Sequence, residues 1–142
     1  MIKKLLLNTD GGSRGNPGPA AYGYVVYDIT NQDGAVIILE KCGNYLGITT
    51  NNIAEYQGLI DGIKWVKTHH PEVELSIKMD SLLIVNQVKG LYKVKSPGLY
   101  PKWEEARELL SSFKVWTIEH TYREGNTLAD SLVNETLDSQ KT

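Results

Sequence analysis

The spacing of apolar residues changes several times along the chain, and each change predicts a new element. Leu5, Leu6 and Leu7 form a short apolar run that gives way to Asn8, Thr9 and Asp10, the pattern of a buried strand whose polar end emerges at a sheet edge. Tyr22, Tyr24 and Val26 alternate with Gly23, Val25 and Tyr27 as far as Asp28, which predicts a second strand folded back as a hairpin. After turn residues at 30–34 (TNQDG), residues 35–45 carry Val36, Ile37, Ile38, Leu39 and Cys42 as a third strand.

The period then lengthens. Ile53, Tyr56, Leu59, Ile60, Ile63 and Val66 fall on one helical face, with Thr50, Asn51 or Asn52 available as its cap and Pro71 limiting its end. Residues 73–79 alternate again through Val73, Leu75, Ile77 and Met79, and stop at Asp80. A short helix over 82–88 is terminated by Gly90. Trp103, Ala106, Leu109, Leu110 and Phe113 mark a third helix, and residues 115–121 a fifth strand. Asn126 or Thr127 caps a last helix with Leu128, Leu132, Val133 and Leu137 inward, and the tail from about 138 is expected to fray. The order βββαβααβα predicts one α/β domain over residues 1–142. Its first three strands run antiparallel, the last two join as parallel crossovers, and helices cover the mixed sheet.

Composition narrows the function. The formal net charge is -2, from 15 Lys+Arg against 17 Asp+Glu, so nucleic-acid binding would need a local patch in place of a global positive field. A single cysteine, Cys42, excludes an internal disulfide and a cysteine-based zinc site, and suits a reducing compartment. The apolar run in MIKKLLL is too short for a signal peptide, and no stretch reaches membrane-spanning length. The expectation is a cytoplasmic monomer with no membrane association and no obligate protein partner.

The stretch after Leu7 concentrates the chemistry. Gly11, Gly12, Gly15 and Gly18, with Asn16 and Pro17, let a backbone turn tightly and lie close to another group. There is no GxxxxGK[ST], and the chain next enters a strand, whereas a dinucleotide fingerprint opens a helix. The carboxylate of Asp10 is therefore what needs explaining. Asp10 and Asp80 end strands that, as parallel neighbours, would place both at the carboxyl edge of the sheet. Glu55 and Asp130 are expected in the first turns of the first and last helices, where the helix dipole alone could account for either. Adjacent carboxylates repel unless a cation sits between them, and an all-oxygen set with few histidines points to Mg²⁺ or Mn²⁺. Two such ions suit phosphodiester hydrolysis.

Four segments carry a family resemblance: TDGGSRGNPGPAAYGYVVYD at 9–28, TTNNIAEYQGLIDGI at 49–63, IKMDSLLIVNQVKGLYKVKS at 77–96 and YREGNTLADSLV at 122–133. Together, and in this order, they resemble the type 1 ribonuclease H family over nearly the whole chain. The resemblance implies a ribonuclease H-like fold with a five-stranded mixed sheet ordered 3-2-1-4-5. It maps the family's carboxylate quartet onto Asp10, Glu55, Asp80 and Asp130. The implied activity is endonucleolytic cleavage of the RNA strand of an RNA–DNA hybrid with two Mg²⁺ ions, Mn²⁺ being a possible substitute. A metal-activated water would attack phosphorus, leaving a 3′-hydroxyl and a 5′-phosphate. Asp10 would bridge both ions, Glu55 and Asp80 would complete one site, and Asp130 would support the other. Candidate contacts to the hybrid are Ser13, Arg14, Asn16, Thr50, Asn51 and Asn52, with Gly11 and Gly12 admitting the backbone. The competing local reading makes Asn51 and Asn52 helix caps and Asn16 a turn residue.

The chain departs from the family pattern in three places. Ser81 and Leu82 follow Asp80 where some relatives carry glutamine in the second place, which implies one groove contact fewer. The mobile histidine of many bacterial relatives is replaced by a loop in which Glu124 resembles the acidic substitute of other branches, with His120 as the alternative. A helical basic protrusion is missing or reduced, leaving Lys89, Lys93, Lys95, Lys102 and Arg107, interleaved with Tyr92, Tyr100 and Trp103, as the local patch for the DNA strand. Trp103 also has a packing explanation, and surface lysines are ordinarily just solvated. Two further readings stay open: the same site acting on double-stranded RNA or RNA–DNA junctions, and a non-catalytic nucleic-acid-binding module.

Overall fold

The computed structural model describes residues 1–140 other than 32 and 35. Five strands form one sheet in the order β3-β2-β1-β4-β5, as the resemblance implies. Strand β1 (Lys4–Ser13) pairs antiparallel with β2 (Gly18–Asp28), which pairs antiparallel with β3 (Ile37–Thr49). On the other flank β1 runs parallel to β4 (Glu74–Met79), and β4 to β5 (Trp116–His120). Helix α1 (Asn51–His69) connects β3 to β4. Helices α2 (Leu82–Lys89) and α3 (Tyr100–Leu110) connect β4 to β5, and α4 (Thr127–Ser139) closes the described chain. Among the described residues no helix is long and apolar enough to cross a membrane.

The main core lies where the alternating strand residues meet the 3.6-residue face of α1. Leu5 and Leu7, Tyr22 and Val26, and Leu75 and Ile77 pack with Tyr56, Leu59, Ile60, Ile63 and Val66, all buried. Ile84, Val85 and Val88 of α2 and Ala106 and Leu110 of α3 extend it. Thr50 caps α1 by accepting from the Ile53 amide, which decides among the three residues available. Gly90 ends α2 with φ 85, a left-handed geometry that favours glycine. Under α4 the apolar cluster is far smaller: Ala21, Val133 and Leu137, with Tyr45 packed against it.

Several boundaries differ from the pattern-based reading. Strand β1 does not stop at Asp10 but continues through both glycines to Ser13, because β2 keeps pairing with it as far as Ser13↔Ala20. What ends near Asp10 is the other pairing, whose last register position is Thr9↔Met79. Strand β3 runs on to Thr49 past a bulge at Gly47, whose φ of 80 absorbs the extra residue. Its expected start at 35 lies outside the described residues. Helix α4 extends to Ser139, so the chain is helical past 138. Its inward face is Ala129, Val133 and Leu137, with Leu128 and Leu132 half-buried.

Candidate active site

Asp10 sits where β1 loses its β4 neighbour but keeps β2, so its carboxylate opens into a gap at the sheet edge. It is opposite Gly23, and a side chain at Gly23 would run into the α4 backbone at Ala129, so Asp10 projects toward the α4 face. Gly11, one residue on, faces the other way. A β-carbon there would fall 2.4 Å from the backbone carbon of Ala54 and the amide nitrogen of Glu55. Glycine is therefore required for α1 to touch the strand, and that contact delivers Glu55. The Gly11 amide donates to Glu55 Oε1. Glu55 lies in the second turn of α1, not the first, and is 3% exposed, so the helix dipole does not account for it. Asp80 follows the last residue of β4, and Asp130 lies in the first turn of α4, as expected.

Ligand oxygens of Asp10, Glu55 and Asp80 lie within 4.8 Å of one another, the one such group among the described residues. Asp10 is the hub, with Glu55, Asp80 and Asp130 each acting on its carboxyl. Burial first, then the charges of Glu55 and Asp80, push the Asp10 pKa far above the carboxylate range. Burial also raises Glu55, against the favourable bonds from Asp10 and the Gly11 amide, and burial raises Asp80 despite the Arg123 guanidinium. Without a cation this cluster holds protons near neutral pH. A divalent ion would supply the missing positive charge, and four carboxylates of this hardness fit Mg²⁺ or Mn²⁺.

The carboxylates line a cleft of about 450 Å³ together with Gly12, Ser13, Arg14, Asn51 and Ser81. Arg14 is held by Asp138 at 2.8 Å across this mouth. Asn16 accepts from the Asn51 amide at 3.0 Å, fastening the glycine loop to the start of α1. Thr50 and Asn52 line a neighbouring hollow of about 330 Å³ with Asn16 and Ser96. Asn52 also lines a third, of about 580 Å³, with Lys93 and Lys95. All six polar candidates thus border one continuous edge that runs from the carboxylates to two exposed lysines.

The basic patch divides. Lys89 pairs with Glu119 at 3.0 Å, Lys102 donates to Gln57 Oε1 at 2.7 Å, and Arg107 donates to the Val88 carbonyl and lies over the Trp103 ring. Lys89 ties α2 to β5 while Lys102 and Arg107 tie α3 to α1 and α2, and the hollow is lined by Lys93 and Lys95. Trp103 is partly buried and donates to the Gln87 carbonyl at 2.8 Å, in keeping with its packing explanation. Glu124 lies on a 3₁₀ turn (Arg123–Gly125), exposed and outside the cleft lining. Its neighbour Arg123 does line the cleft, 3.7 Å from Asp130. His120 ends β5 with its ring edge-on to Tyr122.

Sequence reasoning gave no functional role to Gly23, Gly43 or Arg123, and only a helix-capping one to Asn126. A β-carbon at Gly23 would lie 2.6 Å from the Ala129 carbonyl oxygen, and one at Gly43 would lie 2.4 Å from Thr136 Oγ1. These glycines let α4 rest on the sheet backbone. The only signal for them was glycine at the same face of adjacent strands. Asn126, expected to cap α4, makes no side-chain cap bond.

A 3-2-1-4-5 mixed sheet with carboxylates gathered beside its central strand defines a ribonuclease H-like protein. A family model described as reverse transcriptase-like matches residues 8–136. The chain is 40% identical over 140 residues to the bifunctional protein Rv2228c of Mycobacterium tuberculosis, covering 96% of this chain and 36% of that protein. It therefore spans about a third of the length of the first curated relatives it matches. The crystal structure of RNase H1 from the archaeon Halobacterium salinarum superposes with a TM-score of 0.86 at 38% identity, covering 96% of this chain and 98% of that one. LC11-RNase H1 in complex with an RNA/DNA hybrid gives 0.84 at 38% identity, covering 95% and 97%. The chain belongs to the type 1 ribonuclease H family.

Proposed function

We propose that the protein is an endoribonuclease that hydrolyses the RNA strand of RNA–DNA hybrids and leaves a 3′-hydroxyl and a 5′-phosphate. The observation that carries this reading is the convergence of Asp10, Glu55, Asp80 and Asp130 from four separate elements onto one open cleft. The hybrid-bound relative supports the substrate class. Asp10, Glu55, Asp80 and Asp130 would hold two divalent ions, which when bound lower the pKa of water and offset charge developing on the phosphate oxygens.

The chain's own residues do the rest. Gly11 and Asn16 fix α1 against β1, so the carboxylates are preorganised before substrate arrives. Ser13 and Asn51 present small polar groups beside the carboxylates, and Asn52 one in the adjoining hollow, where a ribose 2′-hydroxyl distinguishes RNA from DNA. Lys93 and Lys95 bind the phosphates of the companion DNA strand. Alongside this reading we propose a cytoplasmic monomer that uses Mg²⁺, with Mn²⁺ as a substitute.

The test is cleavage of a labelled RNA–DNA hybrid beside RNA–RNA, an RNA–DNA junction and single-stranded RNA. Each is incubated with Mg²⁺, Mn²⁺ or chelator, using wild type and Asp10→Asn. Metal-dependent cutting confined to the hybrid's RNA strand and lost in the variant is the expected result. Equal cutting of RNA–RNA would broaden the substrate, and no cutting of any duplex by the folded protein would overturn the nuclease reading.

A further inference from the structure

Asn126 is 1% exposed and immediately precedes α4, yet its side chain does not cap that helix. Its Nδ2 instead donates to the Thr9 carbonyl at 2.8 Å, a buried bond spanning 117 positions of sequence. Thr9 is the residue before Asp10, and its register position is where β4 stops pairing with β1. The Asn126 carbonyl in turn accepts from the amide of Asp130 at 3.1 Å. One residue thus bonds at its two ends to the backbone beside Asp10 and to the backbone of Asp130. We infer that Asn126 is a positioning residue that sets the separation of the Asp10 and Asp130 carboxylates. This rests on the ribonuclease reading for its catalytic consequence, though not for its structural one.

Two features make a positioning role stronger than ordinary packing. The apolar cluster beneath α4 is small, and the other polar tie from the β1 end to this helix, Arg14 to Asp138, lies at the opposite, exposed end of α4 from Asp130. Gly23 and Gly43 set how closely α4 approaches the sheet, but a smooth glycine contact leaves sliding open. The amide bond to Thr9 is the buried directional restraint at the Asp130 end of the helix. It is also exacting: Asn126 Oδ1 is buried without a partner, a desolvation cost accepted for the geometry of the donor side. Hydrogen bonds fall off steeply with angle, so small rotations of α4 are resisted.

The experiment compares wild type, Asn126→Ala, Asn126→Ser and Val66→Ala, the last a buried α1 change remote from the cleft. Neither Ala nor Ser reaches the Thr9 carbonyl. Should Asn126→Ala fail to fold, Asn126→Ser supplies the comparison. Mn²⁺ binding is titrated calorimetrically without nucleic acid, and kcat and KM are measured on the hybrid below every variant's unfolding transition. Weakened binding of the more loosely held Mn²⁺ and a kcat lowered on the order of 10- to 100-fold are expected for the Asn126 variants, with KM within about threefold. Val66→Ala is expected to keep both near wild type.

Folded Asn126 variants with wild-type Mn²⁺ binding and no more loss of kcat than Val66→Ala would overturn the proposal. If wild type cuts no hybrid while the Mn²⁺ titration still separates Asn126→Ala from Val66→Ala, the ribonuclease reading fails and the positioning role stands.

Discussion

The two faces of the sheet hold the clustered carboxylates in different ways. On the α1 face a continuous apolar core from three helices and four strands backs Glu55, which is almost fully buried and bonded to the Gly11 amide. On the α4 face a cluster of three buried residues backs Asp130, which is half-buried, 3.7 Å from the exposed Arg123 guanidinium and bonded by Asn134. Asp10 stands between them on the strand that both faces share. Burial that fixes a carboxylate also penalises its charge, so the deep side supplies rigidity and the shallow side supplies access to solvent and substrate.

The largest expected effect comes from removing the shared residue. Asp10→Asn should lower hybrid cleavage on the order of a thousandfold or more while stabilising the metal-free protein at neutral pH. The sign follows from linkage. Asp10 and Glu55 bind protons more tightly folded than unfolded, so their contribution is fully present below the ordinary carboxylate pKa of about 4. It is lost as pH rises through about 7 and about 9, where they ionise in the fold. Urea denaturation from pH 4 to 9 should show wild-type stability falling across that window, Mg²⁺ restoring it at the upper end, and Asp10→Asn showing a smaller fall, because burial keeps Glu55 raised without Asp10. A wild type whose metal-free stability rises from pH 5 to 9 would contradict the description of the cluster.

A pair of glycine substitutions tests the contrast between the faces. Gly11→Ala forces a β-carbon into the Ala54–Glu55 peptide at the foot of a helix embedded in the main core, and should cost about 3 kcal/mol as well as activity. Gly23→Ala meets the Ala129 carbonyl oxygen and Leu132, but α4 has little core beneath it and lifts. A stability loss of about 1 kcal/mol is expected there, with a kcat loss comparable to that of Gly11→Ala. Equal stability losses in chemical denaturation would remove the distinction between a deep and a shallow side.

The same contrast explains what could be read before the structure. Periodicity marked every helix and strand of the core, because a buried face imposes its spacing on the residues that build it. Asp10, Glu55, Asp80 and Asp130 were legible from element ends together with the family motifs. The part that stayed hidden depends on backbone contact across the sheet. Nothing local marks Gly23 or Gly43 as a seat for α4, or Asn126 as a bond to Thr9, since their partners are distant in sequence. The lysine patch shows the same limit: composition counts charges but does not show that Glu119, Gln57 and the Val88 carbonyl engage three of them.

The loop before α4 offers a smaller test, of which side chain the shallow face turns toward substrate. Arg123 lines the cleft and Glu124 does not, so Arg123→Ala should lower kcat about tenfold by exposing the carboxylates to mutual repulsion and removing a cation beside the phosphate. Glu124→Ala should change it by less than about twofold. A larger loss for Glu124→Ala, measured on the same hybrid, would return the assisting role to the acidic residue.

The smallest effects are expected farthest from the carboxylates. Lys93→Ala and Lys95→Ala should each raise KM about two- to threefold and reduce the slope of log affinity against log salt by roughly one, the signature of a lost phosphate contact. Lys102→Ala should leave that slope unchanged, because its ammonium is bonded to Gln57, which also bonds Asp61 on α1. Fluorescence anisotropy with a chelated, uncleaved hybrid at several salt concentrations separates the two. If Lys102→Ala flattens the salt dependence as much as Lys93→Ala does, the cation leaves Gln57 when nucleic acid arrives, and the binding edge extends onto α3.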